Sequence, residues 1–237
     1  IAGPGFINFT LSDNFYYSNL QNMVDNSNYG KIQQKKPKSA LVEFVSANPT
    51  GPLTVGHGRG AVLGDTISNI LEWNGYEVVR EYYFNNAGKQ MRVLGESVAS
   101  RYRGIYNKKT NFPDYGYQGE YIKDIAKLIA TKYNDNFLKD HENKIFKESA
   151  ENFVFQDIKK TLKRIKINFD SFFNEDDLYT SGAIKNILSE LDRKKILYEK
   201  DGATWFNAKS IGREQDKVLV KSSGEPTYRL PDVAYHK

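Results

Sequence analysis

The stretch "NPTGPLTVGHGRG" (Asn48 to Gly60) sets two prolines and four glycines around a single histidine. It follows a β-branched run and precedes a helical pattern. Glycines let a ligand approach the backbone closely, and prolines hold the loop stiff. A histidine in the first helical turn, beside unpaired N–H groups and the positive end of the helix dipole, can meet a phosphate. Thr54, three residues before His57, adds a hydroxyl, and a threonine at a helix start is also a favoured N-cap. The chemistry this suits is stabilisation of charge on a nucleotide. A second feature is Glu43, an acid inside the apolar run "ALVEFVS", where a carboxylate calls for a partner.

The elements that must carry these residues are legible. "ALVEFVS" (Ala40 to Ser46) reads as a buried strand. Leu63, Ile67, Ile70 and Leu71 recur at i, i+4, i+7 and i+8, the stripe of an amphipathic helix, and Gly75 stands where a C-terminal glycine would stop it. "YEVVREYYF" (Tyr76 to Phe84) is a second strand. Strand, helix and strand in this order make a βαβ unit with a parallel sheet, and ligands of such sheets bind outside the carboxyl ends of the strands. The Gly-rich loop lies there.

"NNAGKQMRVLGESVASRY" continues as a helix. The part from about 104 to 167 is mostly helical and carries Phe146, Ala150, Phe153, Val154, Ile158 and Leu162 at helical spacing, so it reads as a helical insertion. Then follow "FDSFFNE", a helix from about Gly182 to Leu191, a hairpin-like "ILYEKDGATWFNA", and "KVLVKSSGEPTYRL", read as two short strands around Ser-Ser-Gly. The polar "QQKKPKSA" (Gln33 to Ala40) joins a leading arm to the main domain.

Composition limits the function classes. The 237 residues are 39% hydrophobic and 14% aromatic, enough for a real core. No apolar run approaches the roughly 18 to 20 residues of a membrane span, and no signal-peptide pattern is present; the expected setting is cytoplasmic, without a membrane. With no cysteine and three scattered histidines, a thiolate or histidine metal centre is not expected. The net charge of +5 fits a polyanionic partner, although the chain is rich in lysine throughout. The opening at Ile1, without methionine, and the stop at Lys237 suggest a piece of a longer protein. A dinucleotide fingerprint fits poorly, since Gly58, Gly60 and Gly64 give G-x-G-x-x-x-G, and the lysine of a phosphate-binding P-loop is missing.

"VEFVSANPTGPLTVGHGRGAVLGDTISNILEWNGYEVVREYYFNNAGKQ" resembles the signature region of the arginyl-tRNA synthetases, class I aminoacyl-tRNA synthetases, including their version of the H-x-G-H motif. "AGPGFINF" resembles the stretch leaving that family's N-terminal domain. "LYTSGAIKNILSEL", "YEKDGATW", "KVLVKSSGEPTY" and "PDVAYH" follow in the family's order. The resemblance implies an α/β fold of the class I Rossmann type, a parallel nucleotide-binding sheet, here incomplete, with a helical insertion. Residues 1–32 would end an N-terminal domain and linker, and 33–237 would be catalytic domain. The implied reaction joins arginine and ATP into arginyl-adenylate with release of pyrophosphate, then moves the arginyl group to the terminal ribose of tRNA(Arg). Family members generally need bound tRNA even for the first step.

By this resemblance Gly56 makes room for adenine and His57 hydrogen-bonds the ATP phosphates, with Pro49, Gly51, Thr54 and Gly58 completing the ATP contacts and Mg2+ as counterion. Thr54 departs from the motif, which normally begins with histidine. Glu43, Ser46, Asn48, Tyr228 and Asp232 fall where the family binds arginine, and a planar five-donor guanidinium is best held by carboxylates. In "NNAGKQ" Asn86 replaces the family's acid. Lys159, Lys160, Lys163 and Arg164, in "KKTLKRIK", could contact tRNA phosphates or form a solvated helix face. No K-M-S-K-S-like segment and no anticodon-binding domain is found; Lys36 or Lys38 sits where some family members use an upstream lysine instead. The chain is expected to act as a monomer. Two other classes stay open: another ATP-dependent nucleotidyltransferase of the same superfamily, and a non-catalytic tRNA-binding relative.

Overall fold

The computed structural model describes residues 3–86 and 88–237. Ile1 and Ala2 of the opening stretch and Ala87 of "NNAGKQ" lie outside the described residues. Among the described ones, β1 (Ser39–Glu43), β2 (Glu77–Phe84) and β3 (Ser171–Asn174) form a parallel sheet in that order. The crossover from β1 to β2 is α2 (Val55–Trp73), as parallel pairing demands. Asn74 caps α2 and Gly75 takes the left-handed conformation at φ +80°, the position predicted for a stop.

Two expectations about these elements need correcting. The strand ends at Glu43, not Ser46, because Val45 and Ser46 turn through positive φ (65° and 41°). It is also not buried on both faces: Leu41 is 57% exposed and Glu43 is exposed. The helix α2 exists where predicted, but the apolar stripe does not face the sheet. Its buried residues are Ala61, Gly64 and Ser68, while Leu63, Ile67 and Ile70 are exposed. Small side chains let α2 lie close to β1; a Cβ on Gly64 would overlap the Phe44 side chain.

The same face of the sheet packs on α5 (Ile145–Arg164), where Val154, Ile158 and Leu162 meet Phe44, Tyr82 and Phe84 in one core with Ala61 of α2. The same helix continues into a second core with α3 (Gly88–Ile105) and α4 (Glu120–Tyr133), built on Leu94, Val98, Tyr102, Ile125, Ile129 and Phe146. A third core joins α6 (Glu175–Thr180), α7 (Ala183–Arg193) and α8 (Arg229–Tyr235) through Leu178, Ile187, Leu191 and Leu230.

The predicted hairpin is β4 (Leu197–Lys200) with β5 (Ala203–Phe206), and β6 (Lys217–Val220) pairs with β5 in a separate antiparallel sheet. The second strand expected after Ser-Ser-Gly is absent among the described residues. Only a bridge between Val220 and Pro226 forms there before the chain enters α8. The leading helix α1 (Asp13–Asp25) has no buried residue, and the arm after it is tied to the end of α2 by the Ile32 amide on Trp73 O at 2.9 Å.

On this covered face, beyond the apolar core, Arg80 of β2 binds Glu72 of α2 at 2.6 Å and Asp65 at 3.4 Å. The guanidinium holds the Glu72 carboxyl below its ordinary value.

Candidate active site

The carboxyl ends of β1, β2 and β3 point to one edge of the sheet, and the candidate residues gather there. Past Glu43 the chain turns through Val45, whose positive φ is a costly conformation for a β-branched residue. The turn brings the Ser46 hydroxyl onto the Glu43 carboxylate, and Ser46 Oγ accepts from the Tyr83 amide at 3.1 Å. From there the loop is pinned by two phenols. Tyr82 donates to Ala47 O at 2.8 Å from the buried face of the sheet, and Tyr121 of α4 donates to Thr50 O at 2.5 Å. Burial raises both hydroxyls, that of Tyr121 to about 12, so they stay protonated as donors. Pro49 is buried and Asn48 exposed; the Asn48 amide donates to Gln90 Oε1 at 2.6 Å.

Thr54 is the N-cap of α2, with φ −93° and ψ 169°. Its hydroxyl accepts from the His57 amide at 3.4 Å, and its own amide donates to His57 Nδ1 at 3.1 Å, a reciprocal capping box. A Cβ on Gly58 or Gly60 would touch nothing within 4 Å, and on Gly56 only Thr54 Oγ1 at 3.6 Å. Packing within the described residues therefore does not account for these glycines. They leave the first turn of α2 open to approach.

Opposite the loop stand two carboxylates that sequence reasoning missed. Glu81, paired in register with Glu43, is 7% exposed; it accepts from Tyr235 at 2.5 Å and from Ser171 at 2.7 Å. Glu175, at the start of α6, is 9% exposed and accepts from Tyr83 at 2.9 Å; desolvation first, then Asp176, raises its carboxyl. Among the described residues none of Glu43, Glu81 and Glu175 forms a salt bridge. The available signal was weak: an acid at mid-strand in "VVREYYF" and another at the end of "FFNE".

Asp232 lies in the first turn of α8, exposed, with His236 Nε2 at 3.6 Å. It is not a helix cap; Tyr228 holds that position, and the Arg229 guanidinium lies over its exposed ring at 4.6 Å. Tyr235 seats α8 on the sheet, its ring 4.8 Å from both Tyr83 and Phe173. The Tyr83 hydroxyl is raised by burial and by Glu175, with Asp232 contributing, and that of Tyr235 by burial and Glu81, with Glu43 contributing. Glu175 and Glu81 are thus joined through two tyrosines whose rings pack together, with Glu43 in register beside Glu81 and Asp232 on the helix that carries Tyr235.

Not every candidate joins this group. Lys159 sits with Nζ 4.3 and 4.4 Å from the Phe155 and Phe172 ring centroids, half-buried, whereas Lys160, Lys163 and Arg164 are exposed along α5. Asn86 is buried and structural: it donates to Glu151 of α5 at 2.8 Å and its carbonyl oxygen accepts from the Asp176 amide at 3.4 Å. An apolar groove of about 570 Å³ lies between α4 and α5, bordered by Ile125, Leu128 and Phe153; apart from Lys160, no candidate residue lines it. The sheet edge, where the polar groups converge, is the functional candidate.

The model of one protein family, described as the catalytic domain of class I (R) tRNA synthetases, matches residues 19–237. The chain belongs to this family. Among curated relatives, an arginine–tRNA ligase of Desulfotalea psychrophila is 48% identical over 238 residues, covering the whole of this chain and 43% of the relative. One of Chlorobium limicola is 50% identical over 242 residues and is covered to 44%. The chain thus spans less than half the length of these curated relatives. A Campylobacter jejuni crystal structure assigned to the arginyl-tRNA synthetases superposes with a TM-score of 0.84 at 35% identity, over 95% of this chain and 50% of that one. The Thermus thermophilus arginyl-tRNA synthetase shares the fold at a TM-score of 0.63 and 22% identity, over 87% of this chain and 36% of that one. The synthetase family's α/β architecture agrees with the parallel sheet and flanking helices. No helix among the described residues is long and apolar enough to cross a membrane.

Proposed function

We propose that this chain supplies the amino-acid and ATP sites of an arginine–tRNA ligase. In the first step the arginine carboxylate attacks the α-phosphorus of ATP, forming arginyl-adenylate and releasing pyrophosphate. In the second the terminal ribose hydroxyl of tRNA(Arg) takes the arginyl group and AMP leaves. One observation carries the reading: at the sheet edge Glu43, Glu81 and Glu175 are held by the hydroxyls of Ser46, Tyr235, Ser171 and Tyr83, with no salt-bridge partner among the described residues, and Asp232 lies on the helix that carries Tyr235. Carboxylates held by neutral donors keep their charge available for a guanidinium, whose planar fork they fit.

The proposed roles follow from this. Glu43, Ser46, Asn48, Tyr228 and Asp232 take arginine. Pro49, Gly51, Thr54, Gly56, His57 and Gly58 form the ATP loop, with His57 donating where charge develops on the phosphates. Mg2+ would arrive on ATP; among the described residues no group of acids or histidines is gathered to hold a metal. Lys160, Lys163 and Arg164 are the proposed tRNA contacts. Residues 104–167 act as a helical insertion in the catalytic domain, which spans 33–237 after a linker. The protein works in the cytoplasm as a monomer.

Titration calorimetry with arginine, citrulline and lysine, with ATP present, tests this. Citrulline has arginine's shape without its charge, and a site of carboxylates should discriminate by about a hundredfold or more. Equal affinity for arginine and citrulline would sink the proposal.

A further inference from the structure

Thr54 stands where the family motif normally has histidine, and it makes more than an ordinary cap. Its amide donates to His57 Nδ1 at 3.1 Å, its Oγ1 accepts from the His57 amide at 3.4 Å, and Oγ1 lies 3.2 Å from Nδ1. Its carbonyl meanwhile accepts the Gly58 amide at 3.0 Å. An imidazole nitrogen that accepts from an amide carries no proton. With a lone pair of Oγ1 engaged by the His57 amide, the threonine proton is free to point at the same Nδ1. Both Thr54 donors therefore select one form of the ring, neutral, with its proton on Nε2.

We infer that Thr54 is a positioning residue that fixes His57 in the Nε2–H tautomer, which makes the ring a hydrogen-bond donor at Nε2 and not a base. This rests on the function proposed above, and it suits the chemistry. The attacking arginine carboxylate is already ionised, so the first step needs no proton removed. What it needs is a donor for the charge that shifts onto the phosphates as pyrophosphate leaves. A neutral histidine with a preset tautomer supplies that donor without reorganisation. A histidine at position 54 would keep the backbone donor but lose the short hydroxyl that both caps the helix and faces Nδ1.

The test is imidazole 15N NMR on the ligand-free chain, with the His57 signals assigned by their loss in His57→Gln. Nδ1 should be unprotonated and Nε2 protonated in the natural chain and in Thr54→Ser. Thr54→Val keeps the backbone donor but loses the hydroxyl that caps the helix and faces Nδ1, so it should raise the Nδ1–H fraction above that of the natural chain and weaken ATP binding, with arginine affinity unchanged. A cap of purely structural importance would lower thermal stability without moving the tautomer. A protonated Nδ1 in the natural chain overturns the inference, as does a Thr54→Val chain whose tautomer ratio is unaltered, whatever happens to its ATP affinity. Because the tautomer is read without ligand, a locked Nε2–H ring in a chain that binds neither ATP nor arginine would count against the ligase reading alone.

Discussion

The Glu81 carboxylate accepts the Tyr235 hydroxyl at 2.5 Å across a separation of 154 residues. Ser171 fills the other oxygen at 2.7 Å. One buried acid thereby joins β2, β3 and α8, and α8 carries Asp232 one turn before Tyr235. Removing the hydroxyl in Tyr235→Phe leaves a buried carboxylate oxygen without its donor, which costs about 1–3 kcal/mol. Urea unfolding should show that loss. Arginine affinity should fall with it while ATP affinity holds, because the Gly-rich loop is pinned by Tyr82 and Tyr121 instead.

Asp232→Asn separates recognition from folding. The residue is exposed and its only ion-pair partner, among the described residues, is exposed His236 at 3.6 Å. Pairs of this kind contribute about 0–1 kcal/mol, so thermal stability should barely move. Calorimetry should show a loss of arginine binding with ATP binding spared. Equal loss of both would assign Asp232 to the fold.

Gly64→Ala tests the seat of α2. The added methyl would overlap Phe44, whose ring is itself held against Phe169 at 4.5 Å, so the helix or the strand end must shift. A destabilisation of about 1–3 kcal/mol is expected in denaturant unfolding. Gly58→Ala meets no protein atom, so its stability change should stay below about 1 kcal/mol and be set by helix propensity.

Acid should expose two carboxyls of opposite sign. Glu72, lowered by its hydrogen bond to Arg80, contributes stability that is present above its ordinary value of 4.5 and is lost as pH falls through the lower folded value. Glu72→Gln should flatten that acid limb of a melting-temperature profile. Glu175 is raised, chiefly by desolvation, so its ionised form costs stability above the folded value, and the cost is relieved as pH falls towards 4.5. Glu175→Gln should therefore raise the melting temperature at neutral pH and lose arginine binding.

Much of this architecture was legible from local pattern. The βαβ order, the start of α2 at Thr54 and its stop at Gly75 follow from periodicity and capping, which act over a few residues. The buried face of α5 follows likewise from the spacing of Phe146, Ala150, Val154, Ile158 and Leu162. The resemblance carried by the loop and the later motifs matched the family found by comparison.

What lay beyond pattern was every choice made by a distant partner. Apolar Leu63, Ile67 and Ile70 outweigh Ala61, Gly64 and Ser68 in a sequence, yet the small residues face the sheet because Phe44 leaves no room for more. Lys159 reads as one more cation of a basic stripe until Phe155 and Phe172 close on its ammonium. Glu81 and Glu175 look like ordinary acids, since the Tyr235, Ser171 and Tyr83 hydroxyls that define them come from other elements. The sequence by itself determined the elements, their order and the loop at the helix start, because hydrogen bonding and side-chain period within one segment suffice for that. Only the tertiary structure decided which carboxylates are held by hydroxyls and, among the described residues, have no salt-bridge partner, because that depends on groups far apart in the chain meeting at one edge of the sheet.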